Sequence, residues 1–526
     1  MLLHQEFIKI AKKLPKKMAI IDSTRGTRLT FSKTLIASLM LKEKIEKYKD
    51  GFIGVMIPNS AGSILTIIAI VMAGKVPVMI NYSTGAAQNS EYAQKKCSFK
   101  TIITSRALLE KIGCRLVPGM VFIEDILKEV KPMDKIKAAL KSKLPFKMLL
   151  KKVYQGEPDD NVVILFTSGS EKDPKAVQLT HRNLYSNIVD SLTVLDLKPE
   201  DIILGNLPYF HVFGHNTNLW LPLINGNTLV TIANPLDYEG TVKLISKENV
   251  SVVLATPIFF MGYLRKSEPG ELSGLRIAVA GADKCPDWLR TAYLEKHNVV
   301  LLEGYGTTET SPVISVNSHD FNRPGSIGKP LPNVQVKILD INTGEELPAG
   351  REGKIVVKGD IVMKGYFDDI EETSLRIKDG WYDTGDMGML DEDGYLWHRG
   401  RLKRFVKIGG EMVSLVKVES VISNYIPDSV DCCVVEVPDF RKGARIVVVL
   451  SEKVNEKEVM AKAREKLSNI ELPKEFIVYG ELPKMGSGKV AFRKVTEIAK
   501  QIIMGRNGNN NNSNNDKEEK KEYKRD

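Results

Sequence analysis

Runs of consecutive apolar residues, each closed by a turn signal and separated by helical periodicity, recur between about residues 160 and 305. Val162–Leu165, Val252–Ala255, Ile277–Ala280 and Val299–Leu302 are such runs. Four apolar residues in succession suit a strand buried on both faces, and alternation with helices predicts parallel α/β layers. The most apolar segment, Ile64–Ala73, stops at Gly74-Lys75. It is shorter than the about 20 residues a bilayer requires, so it predicts a buried helix, followed by a strand over Val76–Ile80. From about 333 to 398 the pattern shortens and alternates, as in Val334–Leu339 and Gly353–Lys358, which predicts a small antiparallel, barrel-like unit. The expected fold is α/β: a large N-terminal domain (1–400) of layered α/β subdomains plus a small β-barrel-like subdomain, then a small α+β C-terminal domain (401–505). Residues 506–526 hold an asparagine run and a Lys/Glu-rich end, a low-complexity composition that predicts disorder.

Length agrees with more than one core, since 526 residues exceed the usual single-domain range. The five cysteines show no paired metal spacing and vicinal Cys432-Cys433 is a poor disulfide candidate, which fits a reducing cytoplasm. The start, Met1–Glu6, has no cationic region leading into a long apolar core, so no secretory signal is expected. A formal charge of +10 favours anionic partners: nucleic acid, a membrane surface or an acidic carrier protein. No nucleic-acid-binding motif accompanies it, which sets that class aside. Part of the charge lies in lysines 135, 137, 141, 143, 147, 151 and 152, interleaved with Ile136, Leu140, Leu144, Phe146 and Met148–Leu150. This pattern suits a solvated helix face first and a peripheral amphipathic helix at a membrane surface second, interrupted at Pro145.

The richest local chemistry is Phe166-Thr167-Ser168-Gly169-Ser170-Glu171-Lys172-Asp173-Pro174-Lys175, directly after the strand Val162–Leu165. Successive backbone N–H groups make an anion nest, the hydroxyls add donors, and Lys175 brings a point charge, a combination that cradles polyphosphate. A solvated turn has the same local composition. Four more segments decide between them: Tyr305-Gly306-Thr307-Thr308-Glu309, Tyr382-Asp383-Thr384-Gly385-Asp386, Gly400-Arg401-Leu402-Lys403, and Pro483–Lys489.

In this order the five segments resemble the core motifs of the adenylate-forming superfamily, which holds acyl-CoA synthetases, luciferases and peptide-synthetase adenylation domains. The resemblance spans roughly residues 1–500. With Asn81-Tyr82, Leu207–Gly214 and Phe405–Leu415 included, it is most similar to the acyl-acyl-carrier-protein synthetase part of bifunctional 2-acylglycerophosphoethanolamine acyltransferase. Ala176 stands where that superfamily usually has glycine, and Glu171 where small residues are common; neither removes a required donor.

The resemblance implies an ATP- and Mg²⁺-dependent ligase that joins a fatty acid to the α-phosphorus of ATP and passes the acyl group to a thiol. Positioning and charge neutralisation dominate such a step, because two anions must meet. Thr167, Ser168, Gly169, Ser170 and Lys175 would cradle the phosphates, Thr308 would donate to the α-phosphate, and Glu309 would hold Mg²⁺. Without that company Glu309 would read as an acid at a helix N-terminus. Tyr305 would stack on adenine, Gly281 and Ala282 would line its pocket, Asp386 would accept from the ribose hydroxyls, and Arg401 would contact ribose or phosphate. His211 and Gly306 would border the carboxylate and acyl site, with Trp220 and Phe259 along an acyl tunnel, although core packing explains the two aromatics equally well. Lys489 would bridge carboxylate and α-phosphate. Rotation of a mobile C-terminal domain about Lys403 would then withdraw Lys489 and present Lys407, Gly409 and Gly410 to the thiol.

Two local patterns point elsewhere and fail. The His211/His215 spacing suggests zinc, but the glutamate of a zinc-protease helix is missing and Gly214 weakens the helix. Gly486–Lys489 echoes a triphosphatase loop, yet Pro483 replaces its first glycine and Val490 its Ser/Thr. The expected acceptor is the phosphopantetheine thiol of acyl-carrier protein, with CoA as the alternative and a non-catalytic nucleotide- or lipid-binding relative as a different class.

Overall fold

The structure, a computed structural model, describes residues 2–167, 174–408, 411–427, 429–439, 443–484 and 490–504, and for Lys403 and Glu411 the backbone only. These residues form two compact units. The first takes 2–167, 174–384 and 389–397; the second takes 385–388 and everything described from 398 onward.

The first unit is built on two large sheets. The nine-stranded sheet centres on parallel strands Met18–Asp22, Thr228–Thr231, Ile202–Gly205, Val252–Ala255, Ile277–Ala280 and Leu301–Gly306, in that spatial order. The apolar runs at 252–255 and 277–280 are fully buried strands, as their composition predicts. The third run starts two residues later than expected, at Leu301. Asn298 ends the preceding helix in the left-handed conformation, and Val300 faces solvent before the strand begins. The seven-stranded sheet has the order Gly365–Tyr366, Ala176–Thr180, Asn161–Phe166, Val76–Met79, Phe52–Met56, Ile102–Thr104 and Met120–Phe122.

Helix starts follow side-chain chemistry. Ser60 and Ser63 form a reciprocal capping box for Ala61–Met72, the buried helix expected from the 64–73 run. Thr180 and Asn183 do the same for His181–Val194. The alternating segments after 333 form a five-stranded sheet in which Gln335–Leu339, Gly353–Lys358, Trp381–Leu390 and Ile377–Lys378 follow one another and Leu396–Arg401 pairs with 381–390. Pro145 splits the lysine-rich segment into helices Pro132–Lys143 and Phe146–Leu150. Among the described residues no helix is long and apolar enough to cross a membrane.

In the second unit, Cys432–Asp439 and Gly443–Leu450 pair antiparallel along their whole length, and Glu475–Val478 joins in parallel. Their period-2 pattern feeds two cores. Val434, Ile446 and Val448 face the helices Leu415–Ser423 and Glu456–Ala463, while Cys433, Val435 and Val449 face the helical residues 492–504. Adjacent Cys432 and Cys433 therefore leave the strand on opposite faces; both are free thiols, and burial pushes Cys432 up to about 12.

Candidate active site

Parallel strands end where loops can converge, and ligands of open α/β sheets bind beyond their carboxyl ends. Gly281-Ala282 follows strand Ile277–Ala280, Thr307–Glu309 follows Leu301–Gly306, and Thr167 follows Asn161–Phe166. Register sets Ala280, the last residue of its strand, opposite Glu303, so strand Leu301–Gly306 runs three residues further before its turn. Glu303 anchors its strand: Arg290 Nη1 lies 2.6 Å from Oε1, which also accepts from Gly325 N at 3.0 Å. Burial pushes its carboxyl upward against the pull of Arg290.

Two glycines are dictated by close approach. A Cβ on Gly306 would lie 1.7 Å from the Pro312 carbonyl oxygen, and one on Gly214 would lie 2.4 Å from that of Pro208. Gly281 is less confined, its Cβ meeting the Phe213 ring at 3.2 Å. Ala282 adopts φ +65°, a left-handed conformation rare for a residue with a side chain and typical of functional turns.

The described ends of the phosphate-type loop are pinned together. Thr167 N donates to Lys175 O at 3.0 Å, and Lys175 N donates to Thr167 Oγ1 at 3.1 Å. Ser168, Gly169 and Ser170 lie outside the described residues, as do Gly409, Gly410, Lys489, the Lys403 side chain and the tail from 505 onward.

Lys175 Nζ forms an ion pair with Glu372, which also accepts from Arg376 Nε at 3.2 Å. Burial pushes the Glu372 carboxyl up, but Lys175 and Arg376 outweigh it and hold it below the usual range. Lys175 also lies 5.0 Å from the centroid of the Tyr366 ring, and Tyr366 donates its phenol proton to Glu309 Oε1 at 2.8 Å. Glu309 Oε2 has no hydrogen-bond partner among the described residues. Thr308 and Glu309 sit half-buried in a short 3₁₀ turn, Thr308–Thr310, held by the Thr307 and Thr310 hydroxyls.

Tyr366, Glu372 and Arg376 went unnoticed in the sequence. The available signal was Gly365-Tyr366 just before a helix start, where Asp369 caps Ile370–Arg376 by accepting from Glu372 N.

His211 precedes the short helix Val212–His215 without a side-chain capping bond, its ring centroid 4.5 Å from that of Phe210. A cavity of about 140 Å³ brings it together with Thr167; its wall includes the polar Asn81, Thr84 and Asn89 and the aromatic Tyr92, Phe166 and Phe210. The described end of the loop after Asn161–Phe166 and a pocket of mixed polar, aliphatic and aromatic lining thus share one space. Tyr92 was missed by sequence reading; its hydroxyl donates to Pro174 O at 2.9 Å and secures the far side of the loop.

Trp220 and Phe259 do not line this cavity. Trp220 is fully buried in a π-helical turn, Asn216–Trp220, and donates from Nε1 to His215 Nε2 at 3.3 Å. Phe259 is half-buried and stacks on Tyr263 at 6.5 Å, packed against the core cluster on one side of the nine-stranded sheet. His215 Nδ1 lies 3.1 Å from Tyr209 O. Because a carbonyl only accepts and an indole N–H only donates, His215 is the neutral Nδ1–H tautomer, with both nitrogens engaged.

In the second unit Asp386 and Arg401, both expected near the ribose, form an ion pair of 2.9 Å, with His398 Nε2 3.8 Å from the same carboxylate oxygen. Lys407 is exposed on the hairpin strand Phe405–Ile408. Arg404 is an internal tie: it bonds Glu419 at 2.7 Å and lies 4.1 Å from the Phe492 ring centroid.

Comparison with known proteins matches residues 7–367 to the model of the AMP-binding enzyme family and residues 417–489 to that of the AMP-binding enzyme C-terminal domain. A long-chain-fatty-acid–CoA ligase of Bacillus subtilis is 28% identical over 527 residues, spanning 93% of this chain and 92% of its own. A ligase of the same name from Escherichia coli is 27% identical over 497 residues, spanning 88% and 87%. The ATP-bound crystal structure of MatB from Rhodopseudomonas palustris superposes with a TM-score of 0.82 at 24% identity, covering 95% of this chain and all of the other, and so shares the fold. With the family model covering two thirds of its length and the C-terminal model following in order, the chain belongs to the AMP-binding enzyme family, the adenylate-forming ligases.

Proposed function

We propose that this protein is an ATP-dependent fatty-acid–CoA ligase acting through an acyl-AMP. The observation that carries the reading is the shared cavity: Thr167 at the end of the phosphate-type loop faces the same space as His211, Phe166 and Phe210. Polar groups (Asn81, Asn89, Thr167) beside apolar walls (Met79, Phe166, Phe210) suit a carboxylate that carries a hydrocarbon tail. CoA replaces acyl-carrier protein as the preferred acceptor, because the relatives aligned along nearly the whole chain are named CoA ligases. The expected likeness to an acyl-carrier-protein synthetase gains no support from them.

In this reading Lys175 and the Thr167–Ser170 backbone hold the phosphates, Thr308 donates to the α-phosphate, and Tyr305 with Gly281 and Ala282 lines the adenine site. Asp386 accepts from the ribose hydroxyls once Arg401 shares it with the nucleotide. His211 and Gly306 border the carboxylate. Glu309 fits a Mg²⁺ ligand: it is a half-buried hard oxygen donor whose Oε2 has no partner among the described residues. Mg²⁺ characteristically takes one or two carboxylates and completes its shell with phosphate oxygens and water. Bound there, it would neutralise charge on the triphosphate.

We assign 1–400 to the adenylation domain and 401–505 to a mobile domain that turns at Lys403, carrying Lys489 for the first half-reaction and Lys407–Gly410 for the second. Lys489→Ala should then slow adenylation by about 10²–10³, the scale of losing one aimed donor, and affect transfer from supplied acyl-AMP far less. Acid-dependent ATP–pyrophosphate exchange across a chain-length series, followed by CoA and holo-carrier protein as competing acceptors, tests the whole reading. No exchange with any fatty acid refutes the ligase; transfer to carrier protein alone refutes the CoA assignment.

A further inference from the structure

The helix Pro132–Lys143 packs through one face and leaves a second apolar face in water. Ala138 is its one buried residue, and its inner side is tied down by ion pairs from Lys44 to Asp134 and from Lys141 to Glu43. Met133, Ile136 and Leu140 recur at helical spacing on the side opposite Ala138. They are 56%, 52% and 63% exposed. The next helix adds Phe146 and Met148, 36% and 53% exposed, while its Leu149 is buried in the main core and Lys12 bonds the Leu144 carbonyl between the two helices. The segment is therefore an ordered part of the first unit with an apolar stripe turned outward.

Charge surrounds this stripe. Residues 131–152 contain eight lysines and one acid, Asp134. Lys137 and Lys143 flank the stripe on either side of the helix, and Lys135, Lys147, Lys151 and Lys152 are exposed without an acidic partner among the described residues. The nearby acids Glu43, Glu129 and Asp134 already pair with Lys141, Lys47 and Lys44.

We infer that the Pro132–Leu150 face docks onto an anionic lipid surface, inserting Met133, Ile136, Leu140, Phe146 and Met148 among the acyl chains while the lysines meet the headgroups. An amphipathic helix of this composition gains from both apolar burial and attraction to anionic lipid. A second copy fits poorly, because a self-complementary contact would press the same lysines together. The chain's own end fits no better: residues 505–526 offer Tyr523 as their single large apolar side chain.

The test uses the full chain with phosphatidylcholine vesicles, with and without phosphatidylglycerol, read by co-sedimentation. Binding is expected to the anionic vesicles, weaker at high salt and weaker still to neutral ones. Ile136→Asp/Leu140→Asp and Lys137→Glu/Lys143→Glu/Lys147→Glu should each lower partitioning by at least about tenfold. Both sets lie on the surface, so melting temperature and ATP–pyrophosphate exchange with a water-soluble acid should stay at the parental values, which separates lost docking from misfolding. No binding to anionic vesicles, or binding that survives both variants, overturns the inference. Helix-dependent binding of an acidic protein such as holo-carrier protein in place of vesicles also overturns it.

Discussion

The phenol of Tyr366 donates a hydrogen bond to Glu309 Oε1 at 2.8 Å, joining a strand end at the edge of the seven-stranded sheet to the turn that follows strand Leu301–Gly306. The bond fixes one carboxylate oxygen and aims the other. Tyr366→Phe keeps the packing of a residue that is 4% exposed and removes only the donor. A hydrogen bond to a charged group is worth about 1.5–3 kcal/mol, so exchange should slow by roughly tenfold or more, with a raised Mg²⁺ requirement. An unchanged Mg²⁺ titration would show that Tyr366 does not position Glu309.

Glu372 forms an ion pair with the Lys175 ammonium. ATP has to displace that carboxylate, so Glu372→Gln should lower the KM for ATP several-fold with little change in kcat, and Lys175→Ala should raise it. Initial rates against ATP concentration decide; a raised KM in Glu372→Gln would mean that the glutamate positions the lysine for phosphate instead of competing for it.

Acid should destabilise the protein below neutrality. Burial holds His4 and His215 at about 4 and keeps His181 well below the ordinary histidine value. Their folded-state values are depressed, so an unfolded chain takes up protons near pH 6.5 while the folded one does not. Stability is thus greatest above about pH 6.5 and falls as pH drops toward 4, by up to about 1.4 kcal/mol per pH unit for each histidine. Thermal unfolding at pH 7 and pH 5 measures the slope, and His215→Asn should make it shallower.

Gly306→Ala should abolish activity and cost stability, since its Cβ would overlap the carbonyl oxygen of Pro312, just before the paired strand Val313–Val316. Forced backbone movement of this kind costs about 1–3 kcal/mol or more. Gly281→Ala meets only the edge of a ring and should be milder. Melting temperatures of the two variants, compared directly, give the ranking.

Arg404→Ala should unfold the second unit more easily and leave the KM for the acceptor unchanged in protein that remains folded. Its side chain is 16% exposed and holds both Glu419 and the Val434 carbonyl, so losing it costs about 1–3 kcal/mol. The partners of Arg404 arrive from 15 and 30 residues further on, so the Arg401–Phe405 segment alone does not show them.

The amino-acid pattern by itself determined the layered architecture, because a run such as Ile277–Ala280 has no amphipathic alternative and must be buried on both faces. It also offered Thr167 and Lys175 as a candidate phosphate cradle, since hydroxyls, glycine and lysine cluster after a strand end, whereas Thr308 and Glu309 entered only through the family resemblance. Only the tertiary structure decided what faces those residues. Tyr366, Glu372 and Tyr92 reach the site from other strands and helices, and no local spacing encodes a contact made across a sheet edge. Composition alone likewise left Trp220 and Phe259 balanced between tunnel and core, because an aromatic side chain buries favourably in either. Helix phase and strand order set their surroundings: Trp220 is fully buried in a π-helical turn and Phe259 is half-buried against Tyr263.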